Sequence, residues 1–237
     1  MNLLLLTPED CVAPGRARLQ DGRRLQHVRE VHRAVPGDRL RVGLVGGLMG
    51  EAVVSVLDRE LLELEFVLDQ TPPAKLPLTL LLSLPRPKML KRIFQTVASM
   101  GVQRLVLMNS YRVEKSFWDS PWLTPEAVRE QLLLGLEQAR DTVLPEVLLE
   151  PRFKPFVEDR LPALCRNSYA YVAHPGSTQP CPVAVDVPVT LAIGPEGGFI
   201  PYEVGLLQGA GFQAVHLGPR ILRVETAVTA LIARLFP

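Results

Sequence analysis

The chain is predicted to be an α/β protein of two domains, with a small β-rich module over residues 1–70, a proline-rich linker at 71–77 and a larger domain with a mainly parallel sheet over 78–237. Three observations predict this. Short, glycine-punctuated apolar runs fill residues 37–68, and continuous apolar strands alternate with amphipathic helices from residue 78 onward. Between them, Thr71-Pro72-Pro73-Ala74-Lys75-Leu76-Pro77 breaks both periodicities, because its prolines remove backbone donors and fix φ. Strands that are apolar along their whole length and separated by helices imply a parallel sheet covered on both faces.

Taken in order, Arg39 to Gly50 reads as strand, glycine turn and strand, followed by strands over Glu51 to Leu57 and Leu61 to Leu68. Past the linker, Leu78 to Leu84 is a buried strand, Lys88 to Met100 an amphipathic helix stopped by Gly101, and Val102 to Met108 the next strand. Thr124-Pro125-Glu126 supplies an N-cap, a proline at the first helical position and an acid in the first turn, which starts a helix running to about Arg140. Tyr169 to Ala173, Val189 to Ile193 and Gln213 to Leu217 are strands separated by helical stretches. Ile221 to Phe236 reads as a closing helix, with Ile221, Leu222, Val224, Val228, Leu231, Ile232 and Leu235 largely on one side as core.

Composition narrows the function classes. A chain of 237 residues with 47% hydrophobic and 22% charged residues has material for a sizeable core. No apolar run approaches the ~20 residues that span a bilayer, and the N-terminus has no basic flank or cleavage-like site, so a cytoplasmic protein is expected. Cys11, Cys165 and Cys181 are odd in number and widely spaced, and His27, His32, His174 and His216 form no ligand cluster, so neither a disulfide framework nor a metal site is expected. The net charge of +1 does not announce a nucleic-acid partner. Residues 1–42, however, carry Arg16, Arg18, Arg23, Arg24, Arg29, Arg33, Arg39 and Arg41 against Glu9, Asp10, Asp21, Glu30 and Asp38. This local excess of arginine fits either a solvated basic face or a phosphate-contacting one.

The chemistry concentrates near the C-terminus. Leu191-Ala-Ile-Gly194-Pro195-Glu196-Gly197-Gly198-Phe199 is followed by Leu217-Gly218-Pro219-Arg220-Ile221-Leu222-Arg223-Val224-Glu225-Thr226-Ala227. Each is a strand running into a glycine- and proline-bearing loop that opens a helix, so the two loops can form the lips of one pocket at the strands' carboxyl ends. Glycine lets the backbone approach a ligand closely. The spacing matches neither the dinucleotide nor the P-loop fingerprint, and Glu196 would repel a pyrophosphate, which disfavours a dinucleotide-dependent oxidoreductase. Glu196 tolerates a positively charged or hydroxyl-rich ligand, or else satisfies loop amides.

On these residues the chain resembles the RsmE-type methyltransferases of the SPOUT superfamily, which are similar in carrying L-x-I-G-P-E-G-G-F and L-G-x-R-I-L-R-x-E-T-A in this order. Leu25-Gln-His27-Val-Arg29 with Pro36-Gly37-Asp38, Pro85-Arg86-Pro87-Lys88 and Glu137-Gln138 extend the resemblance along the chain. The resemblance implies a PUA-like RNA-binding barrel ahead of a domain with a C-terminal trefoil knot, whose loops hold S-adenosylmethionine. It further implies a homodimer and methylation of N3 of a specific uridine in 16S ribosomal RNA of the small subunit. The chain departs from the family at Met1-Asn2-Leu3-Leu4, His32-Arg33, Thr96, Ser99 and Asp141, positions of RNA contact or dimer surface.

The residues so implied fall into three sets. Ile193, Gly194, Pro195, Glu196, Gly197, Gly198, Leu217, Gly218, Ile221 and Leu222 would hold the cofactor, largely through backbone groups, with Ile221 over the adenine. Arg223 would stabilise the uracil anion and Glu225 would orient Arg223 or act as base, both from the first turn of the closing helix. Arg29, Arg33, Arg41, Arg86, Lys88, Arg112 and Lys115 are candidate RNA contacts. The aromatic segment Ser110 to Leu123 reads as core or dimer packing, with base stacking as the alternative. Methylation of another RNA position by the same fold, or non-catalytic RNA binding, are the competing readings.

Overall fold

A computed structural model describes residues 2–20 and 22–237; Met1 and Asp21, counted above among the N-terminal departures and the local acids, lie outside the described residues. The chain divides into two compact units, Met1–Ala74 with Leu132–Leu144, and Lys75–Gln131 with Pro145–Pro237. Residues 132–144, expected in the larger domain, therefore group with the first unit. The backbone amides of Asn2 and Leu3 both donate to the Glu137 carbonyl, at 3.0 and 3.1 Å, which explains the grouping. Such long-range pairing leaves no local signal in a sequence.

The first unit contains β1 (Leu4–Leu6), β2 (Cys11–Ala13), β3 (Arg16–Leu19), α1 (Gly22–His27), β4 (Arg39–Leu44), β5 (Met49–Leu57) and β6 (Leu62–Gln70). They form a six-stranded sheet of order β1-β4-β5-β6-β3-β2, antiparallel except where β1 lies parallel to β4. The stretch Leu48-Met49-Gly50, read from the sequence as a separate strand, runs on into β5. Its alternation of buried and exposed positions continues to Val54 on the period of two that a half-buried strand requires. Gly50 has a steric cause: a Cβ there would lie 1.9 Å from the Val67 carbonyl oxygen on β6. No strand is legible before residue 39, because β1 to β3 are three or four residues each and too short to establish a period. The unit's core gathers Leu4, Leu6, Leu19, Leu25, Val28, Val42, Val54, Leu62 and Leu64.

Among the described residues of this unit, the Arg24–Asp10 ion pair is largely enclosed on both sides. Arg24 binds Asp10 through both guanidinium nitrogens, at 2.6 and 2.8 Å, and also donates to the Leu5 carbonyl. The pair's side chains are only 13% and 10% exposed. Burial pushes the Asp10 carboxyl up, but the hydrogen bonds from Arg24 and from the Thr7 amide outweigh it and hold the group below its ordinary value.

The second unit contains β7 (Leu76–Ser83), α2 (Pro87–Ser99), β8 (Val102–Met108), α3 (Pro125–Ala139, whose residues from 132 belong to the first unit), β9 (Glu146–Glu150), α4 (Phe153–Pro155), α5 (Leu161–Leu164), β10 (Tyr169–Ala173), β11 (Val189–Ile193), α6 (Pro201–Gly209), β12 (Gln213–Val215) and α7 (Val224–Leu235). Six strands form one sheet of order β12-β10-β11-β7-β8-β9, parallel at every junction, as expected. β7 begins at Leu76, inside the expected linker. β9 was not expected, and residues 174–188 between β10 and β11 contain no helix.

Both faces of this sheet are covered. Leu81, Val106, Met108, Val172 and Ala192 point into a core with Phe153, Phe156, Leu161, Phe199, Val204, Leu207 and Phe212. The alternate residues Leu80, Leu82, Leu105, Leu107, Leu191 and Ile193, also buried, face the opposite side, where α2 packs on β8 and α7 on β11. The closing helix starts three residues later than expected. Ile221 and Leu222 are not core but lie in the preceding loop, 84% and 37% exposed, because the chain stays extended through Arg223 (φ −65°, ψ 153°) and turns helical only at Val224.

Removing Asp10 takes the carboxylate away from the largely enclosed Arg24 guanidinium, so Asp10→Ala should cost roughly 3 kcal/mol in urea unfolding. Arg16→Ala, which breaks the open Arg16–Glu65 pair, should cost less than about 1 kcal/mol. Because the folded Asp10 carboxyl titrates below its unfolded value, its contribution is complete above about pH 4 and is lost as pH falls through the folded value. Asp10→Asn should therefore flatten that acid limb of the stability profile.

Candidate functional site

Parallel pairing fixes where the two glycine loops stand. β11 and β12 flank β10, with Ala173 opposite Ile193 on one side and Val215 on the other, so both strands end at the same edge of the sheet and their loops leave from it. Residues 194–200 lead into α6 and residues 216–223 into α7.

The first loop is shaped by its glycines. A Cβ on Gly194 would stand 2.8 Å from the Phe199 nitrogen and 3.1 Å from the Gly198 carbonyl carbon. Gly197 and Gly198 adopt φ of 90° and 75°, and the Gly198 amide closes the turn on the Pro195 carbonyl at 2.8 Å. Gly194 and Pro195 are buried, whereas Glu196 and Gly197 are exposed.

Three side chains hold this loop, and the sequence reading identified none of the contacts. Glu203, 3% exposed, accepts from the Ile200 amide at 2.9 Å and from the Tyr111 amide at 2.7 Å. It thereby caps α6 and fastens the segment after β8 to the loop. Nothing local in the sequence signals the contact with Tyr111. Arg112 donates to the Gly197 carbonyl and reaches the Gly198 carbonyl at 3.4 Å. Arg86, at the carboxyl end of β7, lies 3.8 Å from the Glu196 carboxylate. Two candidate RNA contacts, Arg86 and Arg112, are thus engaged with the glycine loop, and of Glu196 and Glu203 it is Glu203, through the Ile200 amide, that accepts from the loop backbone.

The second loop has a different character. Gly218 takes φ of 113°, and its amide donates to His216 Nδ1 at 2.9 Å. Ile221, Leu222 and Arg223 follow, all exposed. Arg223 occupies the N-cap of α7 and Glu225 its first turn. Among the described residues the Arg223 side chain has no hydrogen bond or ion pair, and none joins it to Glu225. An apolar pair and an unneutralised guanidinium at the mouth of a glycine cradle can cover a planar base and stabilise a developing anion.

The other candidates are dispersed. Lys88 and Lys115, in the second unit, are exposed and without partners among the described residues. In the first unit Arg33 and Arg41 are exposed, and Arg29 pairs with Glu30 at 2.9 Å. In the aromatic segment, Trp118 donates to Asn109 at 3.1 Å and Lys91 caps the Trp122 ring at 3.7 Å, so both tryptophans have polar or cationic partners within the second unit. Tyr111 is 78% exposed and is the aromatic of this segment most open to a partner. No group of three or more His, Cys, Asp or Glu that could hold a metal occurs among the described residues, and no described helix is long and apolar enough to cross a membrane.

A parallel α/β sheet with two glycine loops at one carboxyl edge, without the glycine spacing of a dinucleotide or P-loop site, is an α/β unit with a candidate ligand-binding edge. The chain belongs to the RNA methyltransferase domain family, whose profile matches residues 72–236. It is 29% identical to the ribosomal RNA small subunit methyltransferase E of Treponema pallidum, over 98% of this chain and 90% of the relative. Among solved structures it resembles a ribosomal RNA small subunit methyltransferase E from Neisseria gonorrhoeae bound to S-adenosylmethionine, at TM-score 0.74 and 23% identity over 98% and 95% of the two chains. A Legionella pneumophila protein solved with bound S-adenosylmethionine superposes at TM-score 0.75, with 22% identity over the same shares.

Gly194→Ala forces the loop open and should lower the melting temperature. Gly205→Ala, in α6 with open space around it, should raise stability by about 0.5–1 kcal/mol. Parallel thermal melts compare the two.

Proposed function

We propose that this chain is an S-adenosylmethionine-dependent methyltransferase that methylates N3 of a uridine in 16S ribosomal RNA of the small ribosomal subunit. The observation that carries the proposal is the pair of glycine loops at one sheet edge, with Ile221, Leu222 and Arg223 exposed beyond the second. Family membership and the resemblance to small-subunit methyltransferases support the substrate.

The residues present fit the cofactor. Backbone groups around Ile193, Gly194, Pro195, Gly197, Gly198, Leu217 and Gly218 would hold it, Ile221 and Leu222 would cover its adenine, and Glu196 would face its positive charge. When bound, it supplies an electrophilic methyl group. Uridine N3 carries a proton and is a poor nucleophile until that proton leaves. In the transfer the N3–H bond breaks, an N3–methyl bond forms and the donor's sulfur–methyl bond breaks. Arg223 would stabilise the uracil anion through a carbonyl oxygen. Glu225, one residue along the first turn of α7, would accept the proton or steer Arg223 once RNA is seated. The uridine must leave its stack to present N3.

The finer architecture belongs to the same proposal. The first unit would be a PUA-like RNA-binding barrel that offers Arg29, Arg33 and Arg41, while Lys88 and Lys115 would meet phosphates from the second unit. Arg86 and Arg112 would act on RNA only by exchanging their loop contacts. The second unit would close a trefoil knot: the Cys181 amide donates to the His216 carbonyl, and the amides of Ala184 and Val185 donate to the carbonyls of Arg234 and Leu235. Residues 179–185 therefore lie against the chain both before and within α7, as a covering loop would. The enzyme would work in the cytoplasm as a homodimer.

Radiolabelled methyl transfer to undermethylated small subunits, with mapping of the modified base, tests the activity. Arg223→Ala should keep cofactor affinity in titration calorimetry and lose roughly a hundredfold or more in turnover; unchanged turnover would remove Arg223 from the chemistry. Gly197→Val and Gly218→Val impose a side chain at positive φ and should abolish cofactor binding.

A further inference from the structure

We propose that His216 is a positioning residue for the second loop, acting as a hydrogen-bond acceptor that fixes Gly218 and thereby presents the loop's carbonyls to the cofactor. The inference rests on the reading of this loop as a cofactor cradle.

The Gly218 amide donates to His216 Nδ1 at 2.9 Å. This is a side chain accepting from the backbone amide two residues on, the arrangement that Asp and Asn make in an Asx turn. A ring nitrogen that accepts must be unprotonated, so the proton of the neutral imidazole is on Nε2. The bond holds Gly218 at φ of 113°, a conformation a side chain rarely adopts.

His216 is itself anchored on both sides. Its amide donates to the Gln179 carbonyl at 2.9 Å, and its carbonyl accepts from the Cys181 amide at 2.8 Å. These make a parallel bridge with Pro180, and the Cys181 carbonyl in turn accepts from Arg234 Nε on α7 at 2.7 Å. The imidazole therefore projects from a fixed backbone and transmits that fixity to the loop.

The consequence for ligand contact is specific. The Gly218 amide is consumed within the chain, so it is not a donor for the cofactor. The Gly218 carbonyl and both backbone groups of Leu217 have no hydrogen-bond partner among the described residues. Gly218 thus contributes an acceptor, suited to the hydroxyl or amino groups of a nucleoside.

Two substitutions separate the acceptor from the ring. His216→Asn keeps an acceptor at the Nδ1 position and removes the ring, whereas His216→Phe keeps the ring and removes the acceptor. In titration calorimetry with S-adenosylmethionine, Phe should weaken binding about five- to tenfold, the effect of one lost hydrogen bond, and Asn should stay within about twofold of the parent. Amide exchange should show Gly218 protected in the parent and in Asn but not in Phe, and nitrogen NMR should show an unprotonated Nδ1. Equal affinity in Phe and the parent, or equal loss in Phe and Asn, would overturn the proposal. If no form binds the cofactor, the cradle reading fails. The exchange pattern then still decides the role of His216: protection lost in Phe alone supports it, and protection unchanged in Phe overturns it.

Discussion

Parallel pairing of β10 with both β11 and β12 is the constraint on which the functional edge of this molecule depends. Parallel strands end on the same side, so the register that sets Ala173 against both Ile193 and Val215 also delivers residues 194–200 and 216–223 to one edge. No other element has to bring these loops together. The same topology obliges the chain to cross from β11 past β10 to β12 and return to lay α7 on the face over β11. That return brings residues 179–185 into hydrogen bonds with His216 and with the end of α7, so the loops are stiffened by the path that creates them.

The first loop shows how polar satisfaction and shape are divided between residue types. Glycine supplies conformations that side chains resist, and Gly194 leaves the space that the Phe199 nitrogen occupies. The orphan amides at the start of α6 need an acceptor, and the buried Glu203 carboxylate provides one while taking the Tyr111 amide as well. A buried carboxylate is costly unless fully hydrogen-bonded, so the segment after β8 cannot drift without stranding a charge. Arg112 and Arg86 act on the outer side of the same loop, where solvent weakens each contact. The rigid inner contact and the softer outer ones give a cradle whose floor is fixed and whose rim can exchange partners.

How much of this could be read from the sequence follows from the range of the interactions. β8, β10 and β11 have the bounds expected from their apolar runs, since a strand buried on both faces carries its signal in its own residues. β1 to β3 and the grouping of residues 132–144 with the first unit were not legible, because they depend on partners tens of residues away and on strands too short for a period. The start of α7 was misplaced because Ile221 and Leu222 fit an apolar helical stripe. Both instead lie in an exposed loop ahead of the helix and contribute nothing to the core. The two motifs located the candidate site. The side chains that shape it, Glu203, Arg112 and His216, carry no local signature for the contacts they make.

That error bears on the chemistry. Had the helix begun at Ile221, Arg223 would lie within its first turn, with its amide and side chain committed to helical geometry. As the N-cap of α7, Arg223 is extended, exposed and adjacent to the helix's amino end. The positive end of the helix dipole and a guanidinium without a partner among the described residues then belong to the same end of α7, and each favours an anion near it. In the proposed reaction a neutral pyrimidine would gain nothing from this field, whereas a deprotonated one would. Such a difference between ground state and transition state is what would accelerate the proposed reaction, and it would depend on Ile221, Leu222 and Arg223 remaining outside the helix.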